Sequence, residues 1–409
     1  MTAAIDELGL LQRLEELAAT ARTPNGGITR LAWSPEDVAA GALVTDWLAS
    51  AGITTRVDAV RNLIADVRGT QPGLRPIMMG SHFDTVVEGG KLDGAYGALA
   101  AFEVLRVIAS SGERLRHPIR AVAWANEEGV VAPPFTGSRI ASGQAVDLSA
   151  LGFDGRTLAQ RLLDSGADPA RLDSASMGEV AAYLELHIEQ GPILDRSGCR
   201  IGVVTGIVGA ARGWLRFQGQ ANHAGTTPMD QRSDATVAAA HAVLAIERLG
   251  NSDLVDVATA GAIEAHPGNA NVVAGESIVS FDLRGLDDKK REAALSRLRS
   301  EVDAISVSTG TSVTMSVEVS TMATLTDPIL RGAIADSAAQ LGLRSVEIGS
   351  GAGHDAQCVA AICPVGMIFV PSVDGISHHR DERTDPEDLM AGAEVLLGAL
   401  HLVDERLDP

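Results

Sequence analysis

Over the first two hundred positions, apolar residues fall in short runs of strand length, separated by stretches with helical recurrence. "RPIMMGSH" (75–82), "IRAVAWANEEG" (119–129) and "AAYLELHIEQG" (181–191) are compact apolar runs with polar ends, and each predicts a buried strand. "GAYGALAAFEVLRVIASSG" (94–112), rich in alanine and leucine, predicts a helix between the first two. Strand and helix in alternation point to an α/β layer structure. After about residue 208 the pattern changes. "ARGWLRFQGQ", "VDVATAGAIEA", "ESIVSFDLRGL" and "TSVTMSVEVS" read as strands, and "SDATVAAAHAVLAIERLG" and "DKKREAALSRLRSEVDAISVSTG" as helices. Their order, βαββαβ, is that of ferredoxin-like domains. From about residue 325 the α/β pattern resumes, with "DPILRGAIADSAAQLGL" as helix and "VGMIFVPS" as strand. The expected organisation is an α/β domain built from residues 1–207 and 325–409, interrupted by a second domain over 208–324. A chain of 409 residues suits two domains, because single cores stop growing below that size.

Four of the predicted strands run straight into polar loops: "MMGSHFD", "AWANEEG", "LELHIEQG" and "IFVPSVDGISHH". Open α/β sheets bind their ligands outside the carboxyl ends of the strands. Those ends therefore offer His82, Asp84, Asp93, Glu127, Glu128, His187, His378 and His379 to one crevice. Taken singly, each has an ordinary explanation: a polar turn, a solvated pair of glutamates, a core histidine, a charged surface stretch. Their joint placement is what points to a site. Histidines and carboxylates without cysteine are the donor set of hydrolytic zinc, manganese or cobalt. The set exceeds what one ion needs, so two ions ~3.5–4 Å apart, sharing a carboxylate, is the reading.

Composition removes several classes of function. Hydrophobic residues make up 45% and charged residues 21%, as in a globular protein. The formal charge of −20 argues against nucleic acid and anionic membrane as partners, though one arginine can still receive a small anion. Three scattered cysteines, Cys199, Cys358 and Cys363, suit a reducing cytoplasm and suggest neither a disulfide framework nor a thiolate cage. The opening "MTAAIDELGLLQRLEELAATA" reads as an acidic amphipathic helix rather than a signal peptide, and no apolar run approaches the roughly 18 residues of a membrane span. "VEIGSGAGHD" begins like a dinucleotide fingerprint but has His354 at the third glycine position, and neither a Walker motif nor G-x-S-x-G occurs. A metal-stabilised scaffold without catalysis is the remaining rival. It predicts the loss of a base or a ligand.

The series "GSHFDTVVEGGKLDGAYG", "NEEG", "LHIEQGPILD", "NHAGTTPM", "GAGHDAQ" and "GISH" resembles the di-metal amidohydrolases that include N-carbamoyl-L-amino-acid hydrolase, allantoate amidohydrolase and β-ureidopropionase, within the aminoacylase–carboxypeptidase superfamily. The likeness runs in order from about residue 20 to the end. It implies a metal-dependent exopeptidase-like catalytic domain with an inserted ferredoxin-like lid and dimerisation domain. It implies two divalent ions, zinc or manganese with cobalt or nickel as alternatives. His82, Asp93 and His187 would hold one; Asp93 as bridge, Glu128 and His378 the other, with His379 a fallback.

By the same resemblance, Glu127 is the general base, Asp84 orients His82, and His223 donates to the tetrahedral oxyanion. Arg284 clamps a substrate carboxylate, with Gln190 and Asn271 as polar companions and Gly351, His354 and Asp355 in a supporting place near the substrate. It further implies a homodimer, a site closed by hinge motion, and hydrolysis of the ureido bond of N-carbamoyl-L-amino acids to the amino acid, ammonia and carbon dioxide. Allantoate is the alternative substrate and an N-acyl amino acid the third. "VVAPPFT" after "NEEG", and Ala274 in "NVVAGE", depart from the family pattern without touching a proposed ligand.

Overall fold

The structure, a computed structural model, describes residues 5–112 and 114–407. The chain folds into two compact units, residues 1–205 with 326–409 and residues 206–325. In chain order the strands are β1 Thr55–Val57, β2 Leu63–Val67, β3 Ile77–His82, β4 Ile119–Trp124, β5 Ala182–Ile188, β6 Ile201–Ile207, β7 Gly209–Gln218, β8 Asn222–His223, β9 Val257–Thr259, β10 Ile263–His266, β11 Val272–Val273, β12 Glu276–Gly285, β13 Ser312–Thr321, β14 Thr324–Leu325, β15 Ser345–Ser350 and β16 Val365–Val370. The helices are α1 Glu7–Ala19, α2 Pro35–Ser50, α3 Ala95–Ser111, α4 Thr136–Ala141, α5 Leu158–Asp164, α6 Ile193–Ser197, α7 Ala235–Gly250, α8 Asp288–Thr309, α9 Pro328–Gln340, α10 Ala356–Val359 and α11 Pro386–Arg406. The acidic opening helix is α1; its expected first four residues lie outside the described part.

The sheet of the first unit runs β1-β2-β4-β3-β5-β16-β6. Its centre, β4-β3-β5-β16, is parallel throughout, while β2 and β6 pair antiparallel at its flanks. Parallel strands covered on both faces are apolar along their whole length: β3, β5 and β16 are buried at every position. Helix α3 is buried all round because it lies inside a core shared with α1, α9, α11 and the sheet. Gly112, in the left-handed region at φ 74°, ends it. At α2 the Ser34 hydroxyl accepts from the Asp37 N–H and Pro35 takes the first turn.

The second unit is an antiparallel sheet in the order β10-β12-β7-β13, with β9 also on β12 and with α7 and α8 contributing to its core. Burial alternates residue by residue along β12, as expected when helices cover one face only. The stretch "VDVATAGAIEA", expected as one strand, is two. Gly261 and Ala262 give their N–H groups to the Ser280 hydroxyl instead of to a ladder, so β9 and β10 pair separately with β12.

Candidate active site

Because β4, β3, β5 and β16 are adjacent and parallel, their carboxyl ends share one edge of the sheet. His82 closes β3, Glu127 and Glu128 follow β4, His187 is the penultimate residue of β5, and His378 lies in the loop after β16. Asp93 sits just before α3, on the loop from β3. Gly94 beside it has φ 62°, and a Cβ there would fall 2.3 Å from the His82 ring. The loop needs glycine at this point to bring Asp93 over the imidazole.

These side chains form three overlapping groups: His82, Asp93 and His187; His82, Glu127 and Glu128; Asp93, Glu128 and His378. Within each, one donor atom per residue lies within 4.8 Å of the others. His82 Nε2 is 3.6 Å from Glu127 Oε2 and 3.8 Å from Asp93 Oδ1. The two oxygens of Asp93 face different histidines, with Oδ1 3.2 Å from His187 Nε2 and Oδ2 3.1 Å from His378 Nε2. Glu128 Oε2 is 3.6 Å from His378 Nε2, and its Oε1 is buried without a partner.

Backbone carbonyls orient both buried histidines. Nδ1 of His82 lies 2.9 Å from the Asp84 carbonyl oxygen and Nδ1 of His187 2.8 Å from that of Ile188, so each Nδ1–H donates outward and each Nε2 turns to the carboxylates. Asp84 therefore acts differently from expectation. Its carboxylate is 3.8 Å from His82 and instead accepts the N–H groups of Glu127 and Glu128, at 3.1 and 3.2 Å. Those buried N–H groups need an acceptor, whereas His82 finds one in the backbone.

Burial sets the ionisation of the cluster. It pushes His82 down to about 4 and Asp84 up to about 6. Burial, followed by the charge of Asp355, raises Glu127 well above its ordinary range; burial and Asp93 push Glu128 up to about 9. Burial works to raise Asp93 as well, but hydrogen bonds from His187 and His378 outweigh it and hold that carboxylate well below the usual range. Among the described residues, Asp93, Glu127 and Glu128 ion-pair with histidines and with no lysine or arginine.

Gln190, held at φ 59°, gives its Nε2–H to Asp93 Oδ2 at 2.8 Å, and its Oε1 is buried without a partner. His354 is buried, with Nε2 2.9 Å from the Ser350 hydroxyl and its ring edge-on to His187 at 4.6 Å. Its place is thus beside the His187 imidazole. Gly351 lies in the exposed turn after β15. His379 is half exposed, with Nδ1 3.5 Å from Asp381, and belongs to none of the three groups.

His223, Asn271 and Arg284 belong to the second unit. His223 on β8 pairs with Val272 on β11, and the Ala224 N–H donates to the Asn271 carbonyl, so His223 and Asn271 are neighbours. The Gly225 N–H donates to His223 Nδ1 at 3.0 Å, which leaves the proton on Nε2. Arg284, on β12, engages Asp282 through Nε and Nη2 at 3.0–3.2 Å.

Sequence reasoning missed two buried acids, Glu185 and Glu382. Glu185 accepts from the Ser81 hydroxyl and the Ala356 N–H beneath the site. Its position two residues before His187, on the same strand face, was the available signal. Glu382 lies in a charged stretch indistinguishable from surface, while Asp355, given a supporting role with His354, is fully buried.

Residues 78–402 match peptidase family M20/M25/M40. The chain belongs to that family. It is 37% identical to an N-carbamoyl-L-amino acid amidohydrolase of Geobacillus stearothermophilus, over 95% of this chain and 96% of that one. An allantoate amidohydrolase of Bacillus subtilis is 34% identical over 95% of each. The structure of a hydantoinase/carbamoylase family amidase from Burkholderia multivorans superposes with a TM-score of 0.91 at 35% identity, covering all of both chains. The chain is thus an amidohydrolase-type enzyme of a metal-dependent family. Its own residues fit such ions: two imidazole Nε2 atoms turned to the carboxylates, an orphaned Glu128 oxygen, and, among the described residues, no lysine or arginine ion-paired with Asp93, Glu127 or Glu128.

Proposed function

We propose that this M20 enzyme hydrolyses the ureido C–N bond of N-carbamoyl-L-amino acids, giving the L-amino acid, ammonia and carbon dioxide. The observation that carries the chemistry is Glu127, a buried carboxylate 3.6 Å from His82 that shares a donor group with His82 and Glu128. Likeness to the Geobacillus N-carbamoyl-L-amino acid amidohydrolase supports the ureido class. In this reading His82, Asp93 and His187 hold one divalent ion, and Asp93, Glu128 and His378 a second, zinc or manganese. Ions in such a place acidify water and polarise a carbonyl.

The protein's part is proton transfer and orientation. Glu127 takes a proton from the attacking water as its oxygen bonds to the carbamoyl carbon, then returns it to the amino-acid nitrogen as the C–N bond breaks. The released carbamic acid falls to ammonia and carbon dioxide. His223, fixed as an Nε2–H donor, is the proposed partner of the oxyanion. Arg284 is assigned to the substrate carboxylate, with Gln190 and Asn271 as companions, an exchange in which the substrate competes with Asp282 for the guanidinium. The strand order of the second unit supports a ferredoxin-like domain, to which we assign lid and homodimer roles. Three buried, unpaired cysteines support a cytoplasmic setting, and no described helix is long and apolar enough to cross a membrane.

Allantoate is the second reading, favoured by the likeness to the Bacillus subtilis allantoate amidohydrolase. Ammonia release by metal-loaded protein, offered N-carbamoyl-L-methionine and allantoate in parallel, tests both. Turnover of the first alone is expected. Turnover of allantoate alone would replace the first reading with the second, and silence on both would sink each.

A further inference from the structure

Glu382 lies in "SHHRDERTD", a stretch whose composition reads as solvated surface, yet only 5% of it is exposed. Its carboxylate is aimed at the site. Oε1 accepts the backbone N–H groups of Leu92 and Asp93, at 2.9 and 3.1 Å. Oε2 accepts from the Ser377 hydroxyl at 2.9 Å, and the same Ser377 oxygen lies 3.1 Å from Asp93 Oδ2. The Glu382 N–H donates to the His379 carbonyl, which closes the 378–382 segment into a turn with His378 at φ 54°. One carboxylate therefore joins two loops almost 290 positions apart, one carrying Asp93 and the other His378. Gly90 makes room for it, since a Cβ there would fall 2.1 Å from Glu382 Oε1. No lysine or arginine ion-pairs with Glu382 among the described residues; its partners are two backbone N–H groups and a hydroxyl.

We propose that Glu382 is the positioning residue of the metal centre: it sets the separation of Asp93 and His378 and so governs the affinity of the ion those two share with Glu128. The inference rests on the metal-centre reading above. Its physical basis is that ligands held by hydrogen bonds from behind are preorganised, and removing such a partner typically weakens metal binding about 10–100-fold. Asp93 and His378 lie almost 290 positions apart and touch directly, Oδ2 to Nε2 at 3.1 Å, and the Glu382 clamp holds their two loops from behind that contact.

The test is equilibrium dialysis of the full-length protein against graded Mn2+, with bound metal counted by mass spectrometry, for wild type, Glu382→Ala and Glu382→Gln. Thermal melts of the same samples report the fold. Wild type is expected to bind two ions per chain. Glu382→Ala should keep one ion at wild-type affinity and bind the other about 10–100-fold more weakly, with kcat recovering at high Mn2+. Glu382→Gln retains an acceptor for the Leu92 and Asp93 N–H groups and a hydrogen-bonding group for Ser377, so its second ion should fall between the two. If both variants bind two ions as wild type does, or if both lose the two ions together, the positioning role is wrong. A wild type that takes up no ion overturns the metal-centre reading, and this inference with it. An Ala variant that melts out leaves the Gln variant to decide, since it preserves shape and packing.

Discussion

Each side chain at this site is defined by what its second functional atom does. His82 and His187 spend Nδ1 on carbonyls and so face the carboxylates with Nε2. Glu127 is buried and raised, and it lies within reach of His82. Glu127→Gln removes only the proton acceptor, so it should keep its metal content while kcat falls by about 10²–10⁴; metal analysis beside ammonia release checks the pair of outcomes. Asp93→Asn should lose both ions and activity together. His223 presents Nε2–H because Gly225 occupies Nδ1. On the oxyanion role proposed for it, His223→Ala should lower kcat by about 10²–10³ with metal content unchanged, and an unchanged kcat would remove it from the reaction. The residue types were legible in the sequence, since His82, Glu127, Glu128 and His187 end apolar runs. The second contacts were not: whether His82 is oriented by the Asp84 carboxylate or by its carbonyl depends on where Glu127 and Glu128 place their N–H groups.

At the scale of elements, the site hangs on strand ends and on a few buried polar groups that pin the loops after them. Arg30 is fully buried between α1 and the loop after β3, with Nε donating to the Phe83 carbonyl at 2.8 Å and Nη1 to that of Leu17 at 3.0 Å. Burial pushes its guanidinium down to about 10, and the nearby carboxylates of Asp37 and Asp84 act against that shift. Phe83 stands between His82 and Asp84, so this arginine holds the backbone of the metal loop. Arg30→Met keeps most of the packing but orphans the buried Phe83 carbonyl, at about 1–3 kcal/mol, while the Leu17 carbonyl keeps the Thr20 hydroxyl as a donor. Urea denaturation should show a loss of about 1–3 kcal/mol, while a surface-like loss below about 0.5 kcal/mol would mean that the Phe83 carbonyl finds another donor. Most elements could be read from hydrophobic period alone, α3 and β12 most plainly. The break between β9 and β10 could not, because it depends on the Ser280 hydroxyl of a neighbouring strand.

For the whole molecule, the dominant electrostatic fact is a set of buried carboxylates in a chain of charge −20. Burial pushes Glu185 and Glu382 up to about 7 and Glu128 up to about 9. Raised carboxylates bind more protons folded than unfolded above pH ~4.3. Their contribution to the stability of ion-free protein is therefore present at low pH and falls as pH rises through 7 and on to 9. Ion uptake displaces those protons, so affinity for Mn2+ should rise with pH. The gain in melting temperature on adding Mn2+ should thus be larger at pH 8 than at pH 6, and a gain independent of pH would show that no proton leaves on binding. The sequence by itself determined the alternation of strand and helix, the change of pattern near residue 208, and the donor types that follow the strands, because these are written in local period and composition. Only the tertiary structure decided which acids are buried. Asp381 and Glu382 are neighbours of one kind in the sequence, yet one is exposed and the other clamps Asp93. Burial is set by residues distant in the chain that fold over a position, and no local pattern encodes them.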